Sequence, residues 1–186
     1  MNTPPAQSLV GLGDTGLAVT PICFGTSPLA SMAQLYGYSV DEERAVATVL
    51  AAFESPVNFI DTSNGYGEDG LAERRIGAAI RRAGGLPSHV VLATKVDPDP
   101  RTGDFSGDRV RASLEESMER LGVDKIALLH LHDPERISFE EGWLPAGRWR
   151  RWPSSEIAAS CSILVSPEDR FGCFSSTSTP ASSRSC

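Results

Sequence analysis

Four polar side chains have the types and spacing to do chemistry: Asp61, Tyr66, Lys95 and His132. A phenol ionises near pH 10, so at neutral pH it donates a proton readily and accepts one poorly. A neighbouring ammonium stabilises the phenolate, and a carboxylate partner keeps that ammonium in place and charged. A neutral imidazole can orient a carbonyl through a hydrogen bond. This set suits proton transfer to a carbonyl oxygen while hydride reaches the carbon. No side chain supplies hydride, so a nicotinamide cofactor must.

Each residue also has a plainer reading. Asp61 and Lys95 end successive apolar runs and could be a structural ion pair. Tyr66 stands in the glycine-flanked stretch Asn64-Gly65-Tyr66-Gly67, where it could pack on a helix or present its hydroxyl. His130 and His132 are two apart, so on a strand they share a face. A metal-dependent hydrolase could use such a pair, but the only other histidine is His89, and no metal is expected. His130 reads instead as a histidine of a barrel interior. Gly11-Leu12-Gly13-Asp14-Thr15-Gly16 has dinucleotide-loop spacing, yet LAVTP follows it and Pro21 forbids a long helix. A hairpin turn at Asp14-Thr15-Gly16 fits better.

Positioning these groups falls to four apolar runs that read as buried strands: 21–27, 57–61, 90–96 and 126–133. Helical patterns alternate with them. Ser39-Val40-Asp41-Glu42 has capping-box spacing, ahead of an apolar face of Val46, Val49, Leu50 and Phe53. A second face carries Ala72, Ile76, Ala79 and Ile80, with Gly84 as C-cap. A third carries Val110, Leu114, Met118 and Leu121 and stops at Gly122; its acids and arginines read as a solvated face. The strand-end residues Gly25, Asp61, Lys95 and His132 are separated by 36, 34 and 37 residues. That is the length of one βα unit. Four units make the first half of a (β/α)8 TIM barrel, and catalytic groups on that fold sit at the strand C-termini. A doubly wound open sheet is the competitor.

The 186 residues suit one domain, with 40% hydrophobic content and a net charge of −7. The acidic balance argues against a nucleic-acid or membrane-surface partner. No apolar run approaches the roughly 18 residues of a membrane span, and the first residues lack a secretory signal, so a cytoplasmic location is expected. Composition changes at Glu141. Residues 1–141 carry a net −9, whereas residues 142–186 carry +2, all three Trp, three of the four Cys and eleven Ser. This tail shows no periodicity beyond CSILV and reads as irregular. The ratio of 15 Arg to 2 Lys reads as GC-rich coding, in which a reading-frame error can produce such a tail; a divergent or disordered extension is the alternative. Cys161, Cys173 and Cys186 lack zinc or disulfide spacing. Cys23, in an apolar run, reads as a small core residue.

The segment NFIDTSNGYGEDGLAERRIG (58–77), with LATKV (92–96) and LHLHDPE (129–135), resembles the aldo-keto reductase family. LGDTGLAVTPICFGTS (12–27) resembles that family's opening hairpin and first barrel strand. The resemblance covers residues 9–141 and implies an NAD(P)(H)-dependent oxidoreductase of carbonyls and alcohols. It implies a tetrad in which Tyr66 is the general acid-base, Lys95 its tuner, Asp61 the partner of Lys95 and His132 the substrate-orienting group. Gly25 and Thr26, with Asp61, match positions that approach NADP or NAD. Within the family the chain is most similar to the branch oxidising sugars such as fucose or related aldoses. The family's Ser-Asn pair, Gln and phosphate loops of the second half find no match in residues 142–186. The expectation is therefore a truncated chain of doubtful activity, with unpaired edges on its first and fourth barrel strands.

Overall fold

The computed structural model describes residues 8–133 together with two short strand segments, 163–165 and 174–175. It opens with an antiparallel hairpin, β1 (Val10–Gly11) and β2 (Ala18–Val19). The turn closes by Thr15 N–H donating to Leu12 O, with Leu12 N–H donating to Leu17 O. The G-x-G-x-x-G run is therefore a hairpin, its turn centred one residue before the expected position.

A six-stranded sheet follows, ordered β3 (Cys23–Gly25), β4 (Phe59–Asp61), β5 (Val91–Val96), β6 (Leu128–Leu131), β7 (Ile163–Val165) and β8 (Phe174–Ser175). All pairings from β3 to β7 are parallel, and β8 is antiparallel to β7. A short 3-10 turn (Ser27–Ala30), α1 (Ala33–Tyr36) and α2 (Glu42–Phe53) link β3 to β4. Helix α3 (Leu71–Ala83) precedes β5, and α4 (Gly107–Leu121) precedes β6. This is the strand-helix repeat of a barrel, present in part.

Three expectations need correction. The α2 N-cap is Asp41, whose carboxylate accepts from Arg44 N–H at 2.8 Å, rather than Ser39. A carboxylate at the positive helix end also answers the helix dipole, which a serine hydroxyl does not. CSILV, the one stretch of the tail with periodicity, contributes β7, whose Leu164 and Val165 pair with Leu129 and His130. The fourth barrel strand, β6, therefore has a neighbour on each side. The expected disposition of Cys161, Cys173 and Cys186 lies outside the described residues.

The core has two faces. Outward-facing Ile60, Leu92, Val96, Leu129 and Leu131 meet Val49 and Phe53 of α2, Ile76 and Ile80 of α3, and Val110, Leu114 and Leu121 of α4. Each large side chain taken fully out of water here contributes about 1.5–3 kcal/mol. Gly84 and Gly122 end α3 and α4 in the left-handed conformation, at φ 81° and 69°. On the inner face, Leu12 and Leu17 of the hairpin pack against Phe59, Ala93 and Leu128. Asn58 clamps the hairpin to the start of β4: its Oδ1 accepts from Thr20 N–H at 2.8 Å and its Nδ2 donates to Ala18 O at 3.0 Å. The hairpin thus closes the N-terminal end of the sheet and leaves the C-terminal ends clear. Cys23 is exposed rather than in the core, because apolar packing of the first strand lies on the helix side. Among the described residues no helix is long and apolar enough to cross a membrane.

Candidate active site

The register shows how the four groups meet. Gly25 is level with Asp61, and Asp61 with Ala93, so Lys95 stands two residues further along β5. Lys95 is level with His130, and His132 again lies two residues beyond. This climbing stagger is what a closing barrel imposes on its strands. The long Lys95 stem then reaches back. Its Nζ donates to Asp61 Oδ2 at 2.5 Å, to Thr62 O at 2.9 Å and to Tyr66 Oη at 3.0 Å. The ammonium also sits 4.7 Å from the Tyr66 ring centroid. Side-chain exposure is 17% for Lys95 and 25% for Asp61, so the pair is largely withdrawn from water. Burial alone would lower the Lys95 ammonium; the bonds to Asp61 and Tyr66 outweigh it and raise its pKa. The His132 ring packs edge-on against Tyr66, with centroids 5.6 Å apart and planes at 82°. All four expected residues converge.

Two members of this cluster were missed by sequence reasoning. Asp97 Oδ1 lies 2.6 Å from His132 Nδ1, and Ser63 Oγ lies 3.1 Å from the same nitrogen. Ser63 Oγ also donates to Asp97 Oδ2 at 2.5 Å. Burial pushes the Asp97 carboxyl up, but hydrogen bonds from His132 and Ser63 outweigh it and hold it below the usual range. The available signal was parity: Asp97 is two residues after Lys95 and so points to the same side.

The loop carrying Tyr66 is anchored from below. Asn64 is buried, and its Nδ2 donates to Ser113 O at 3.0 Å, Glu116 Oε2 at 3.1 Å and Ser117 Oγ at 3.2 Å. Arg109 holds Glu116 with two bonds, at 2.7 and 2.9 Å. That pairing keeps the Glu116 carboxyl below its usual range. Arg120 donates to Asn64 O at 3.3 Å and to Glu73 Oε2 at 3.4 Å. Glu73 has no exposed surface, and its Oε1 accepts from Thr94 Oγ1 at 2.7 Å. The charged residues of α4 are therefore not simply a solvated face. Arg109 and Arg120 turn inward because Asn64 and Glu73 lie beneath them, which helical spacing within α4 does not reveal.

Gly25 lies exposed at the rim, and a Cβ built there would meet nothing within 4 Å. Thr26 is fully buried, and both its N–H and its hydroxyl donate to Asp61 O at 3.0 Å. It ties the end of β3 to Asp61 rather than offering a free hydroxyl. His130 lies on the inner face level with Lys95, and burial pulls its imidazole below the usual range. Among the described residues no three His, Cys, Asp or Glu side chains are grouped to hold a metal ion.

Comparison with known proteins identifies the family. The sequence pattern of the aldo/keto reductase family matches residues 21–164. The chain is 42% identical to an Arabidopsis thaliana L-galactose dehydrogenase over 133 residues, covering 72% of this chain and 40% of that protein. It is 32% identical to a Pseudomonas D-threo-aldose 1-dehydrogenase over 157 residues, covering 73% of this chain and 45% of that protein. The chain thus spans less than half the length of these relatives. A solved Pseudomonas aeruginosa structure assigned to the aldo-keto reductases superposes with a TM-score of 0.63 at 29% identity, over 85% of this chain and 58% of that one. On these grounds the chain belongs to the aldo/keto reductase family of oxidoreductases, and its sheet is part of that family's TIM barrel.

Proposed function

We propose that this site moves a proton while hydride passes between NAD(P)(H) and a small carbonyl or alcohol, in particular an aldose sugar. The observation that carries the reading is the Lys95 ammonium, bonded at once to Asp61 Oδ2 and Tyr66 Oη. Tyr66 gives its hydroxyl proton to the substrate oxygen. Negative charge developing on the phenol oxygen is met by the ammonium 3.0 Å away, in a setting shielded from bulk water. Asp61 holds the ammonium, and Thr26 holds the peptide of Asp61. His132 orients the substrate oxygen beside the Tyr66 ring.

Nicotinamide, when bound, supplies or accepts the hydride. The open surface over Gly25, level with Asp61 and next to the Lys95 cluster, fits the approach of a flat ring. Aldoses are proposed as substrates because two relatives above 30% identity are named for galactose and aldose oxidation. The choice of NAD or NADP stays open within the proposal. A cytoplasmic setting belongs to it and rests on the sequence reading alone.

The test is a nicotinamide fluorescence titration of the purified chain, followed by turnover of an aldose panel by wild type and Tyr66→Phe. Binding in the micromolar range is expected, with turnover falling by about 100- to 10,000-fold in the variant. Absent binding, or undiminished turnover by Tyr66→Phe, overturns the proposal.

A further inference from the structure

The contacts around Asp97 determine where the proton of His132 resides. Asp97 Oδ2 accepts from Gly65 N–H at 2.8 Å and from Ser63 Oγ at 2.5 Å. Its Oδ1 faces His132 Nδ1 at 2.6 Å. The hydrogen bonds around it hold Asp97 in its ionised form, which has no proton to give. The proton between Oδ1 and the ring is therefore on Nδ1. A neutral imidazole carries one ring proton, so with Nδ1 protonated its Nε2 is a bare acceptor. A bare Nε2 cannot donate to a carbonyl oxygen.

We propose that Asp97 is a positioning residue that commits the Nδ1 proton of His132, so that His132 donates from Nε2 to a carbonyl oxygen only as imidazolium. Carbonyl binding then takes up one proton at Nε2. An alcohol brings its own hydroxyl proton and can be bound by the bare nitrogen. In reduction, hydride joins the carbonyl carbon, the Tyr66 proton joins its oxygen, and the imidazolium keeps its proton as a hydrogen-bond donor. This inference rests on the carbonyl reading of the preceding subsection. Charged and titratable groups face His132 from every packed element. Asp97 comes from the end of β5 and Tyr66 from the loop after β4, with the Lys95–Asp61 pair on the Tyr66 hydroxyl. His130 and Asp133 come from β6 and its end, with Asp133 Oδ1 at 3.8 Å from Nε2. Among the described residues only Asp97 contacts Nδ1 with a carboxylate.

Asp97→Asn is expected to invert the arrangement. Gly65 N–H and the Ser63 hydroxyl both donate to the Oδ2 position, so they retain the amide oxygen there. The amide nitrogen then faces His132 Nδ1, which must accept, and the single ring proton moves to Nε2. The test is nitrogen-15 NMR of the histidine rings at a pH where His132 is neutral, with signals assigned by a His132→Gln variant. Wild type is expected to carry its proton on Nδ1, and Asp97→Asn on Nε2. A neutral wild-type ring protonated on Nε2, or the same tautomer in both proteins, overturns the proposal. If Asp97→Asn does not fold, the wild-type tautomer alone decides.

This measurement needs neither cofactor nor turnover. A chain that binds no nicotinamide would sink the preceding proposal and leave the tautomer result intact. In turnover, the carbonyl KM of wild type should rise with pH, because the neutral ring offers no donor at Nε2, while that of Asp97→Asn stays flat. A flat wild-type KM counts against the inference.

Discussion

Replacing Gly77 with alanine tests whether α3 and α4 pack as closely as the site requires. A Cβ at Gly77 would lie 2.0 Å from the Arg120 carbonyl oxygen and 3.2 Å from the Leu121 carbonyl carbon. Ordinary contact is about 3.5 Å, so the helices must part by roughly 1.5 Å or the chain must bend. Overpacking costs about 1–3 kcal/mol. Here both sides are backbone and no side chain can swing away, which places the cost near 3 kcal/mol. Alanine recovers about 1 kcal/mol of helix propensity over glycine. The net loss is about 2 kcal/mol, and with a urea slope near 2 kcal/mol/M the unfolding midpoint should fall by about 1 M. Gly11→Ala is the control, because a Cβ there meets nothing within 4 Å. It should stay within about 0.5 kcal/mol of wild type. Equilibrium urea unfolding of the full chain reads both. A Gly77→Ala protein as stable as wild type would refute the packing argument, and with it the seating of Arg120 under the Tyr66 loop.

Other outcomes follow from the same contacts. Lys95→Ala removes the ammonium facing Asp61 and Tyr66 and should lower turnover by about 100-fold or more, read in a steady-state assay, without preventing nicotinamide binding. Asp97 titrates lower in the folded chain than its unfolded value near 3.9. Its contribution is thus present above that pH and lost as pH falls through the folded value, so the advantage of wild type over Asp97→Asn in urea midpoint should shrink on acidification below about pH 4. Glu73 has the opposite sign, because burial raises its folded value above about 4.3. Its contribution is full below that pH and lost as pH rises through the folded value, so Glu73→Gln should gain on wild type as pH rises above about 4; a constant difference would count against it.

The strand-helix repeat and the four chemical residues were legible from the sequence. Apolar periodicity, glycine stops and a near-constant βα spacing depend on residues close in the chain, and spacing alone carried Asp61, Lys95 and His132 to one rim. Tyr66 followed because glycines flank it just beyond a strand end. Asp97 was not legible in this way: it stands in a D-P-D-P run that reads as loop, and its partner His132 is 35 residues away. That contact exists because the β5–β6 register carries Asp97 level with His132, which hydrophobic pattern does not encode. Glu73 likewise meets Arg120 only where α3 and α4 come together near Gly77, and Asn64 meets Arg109 where α4 packs against the Tyr66 loop. Local spacing thus determined which groups reach the rim. The stagger between strands and the separation of the helices, set by tertiary packing, decided which group holds each one and where its proton lies.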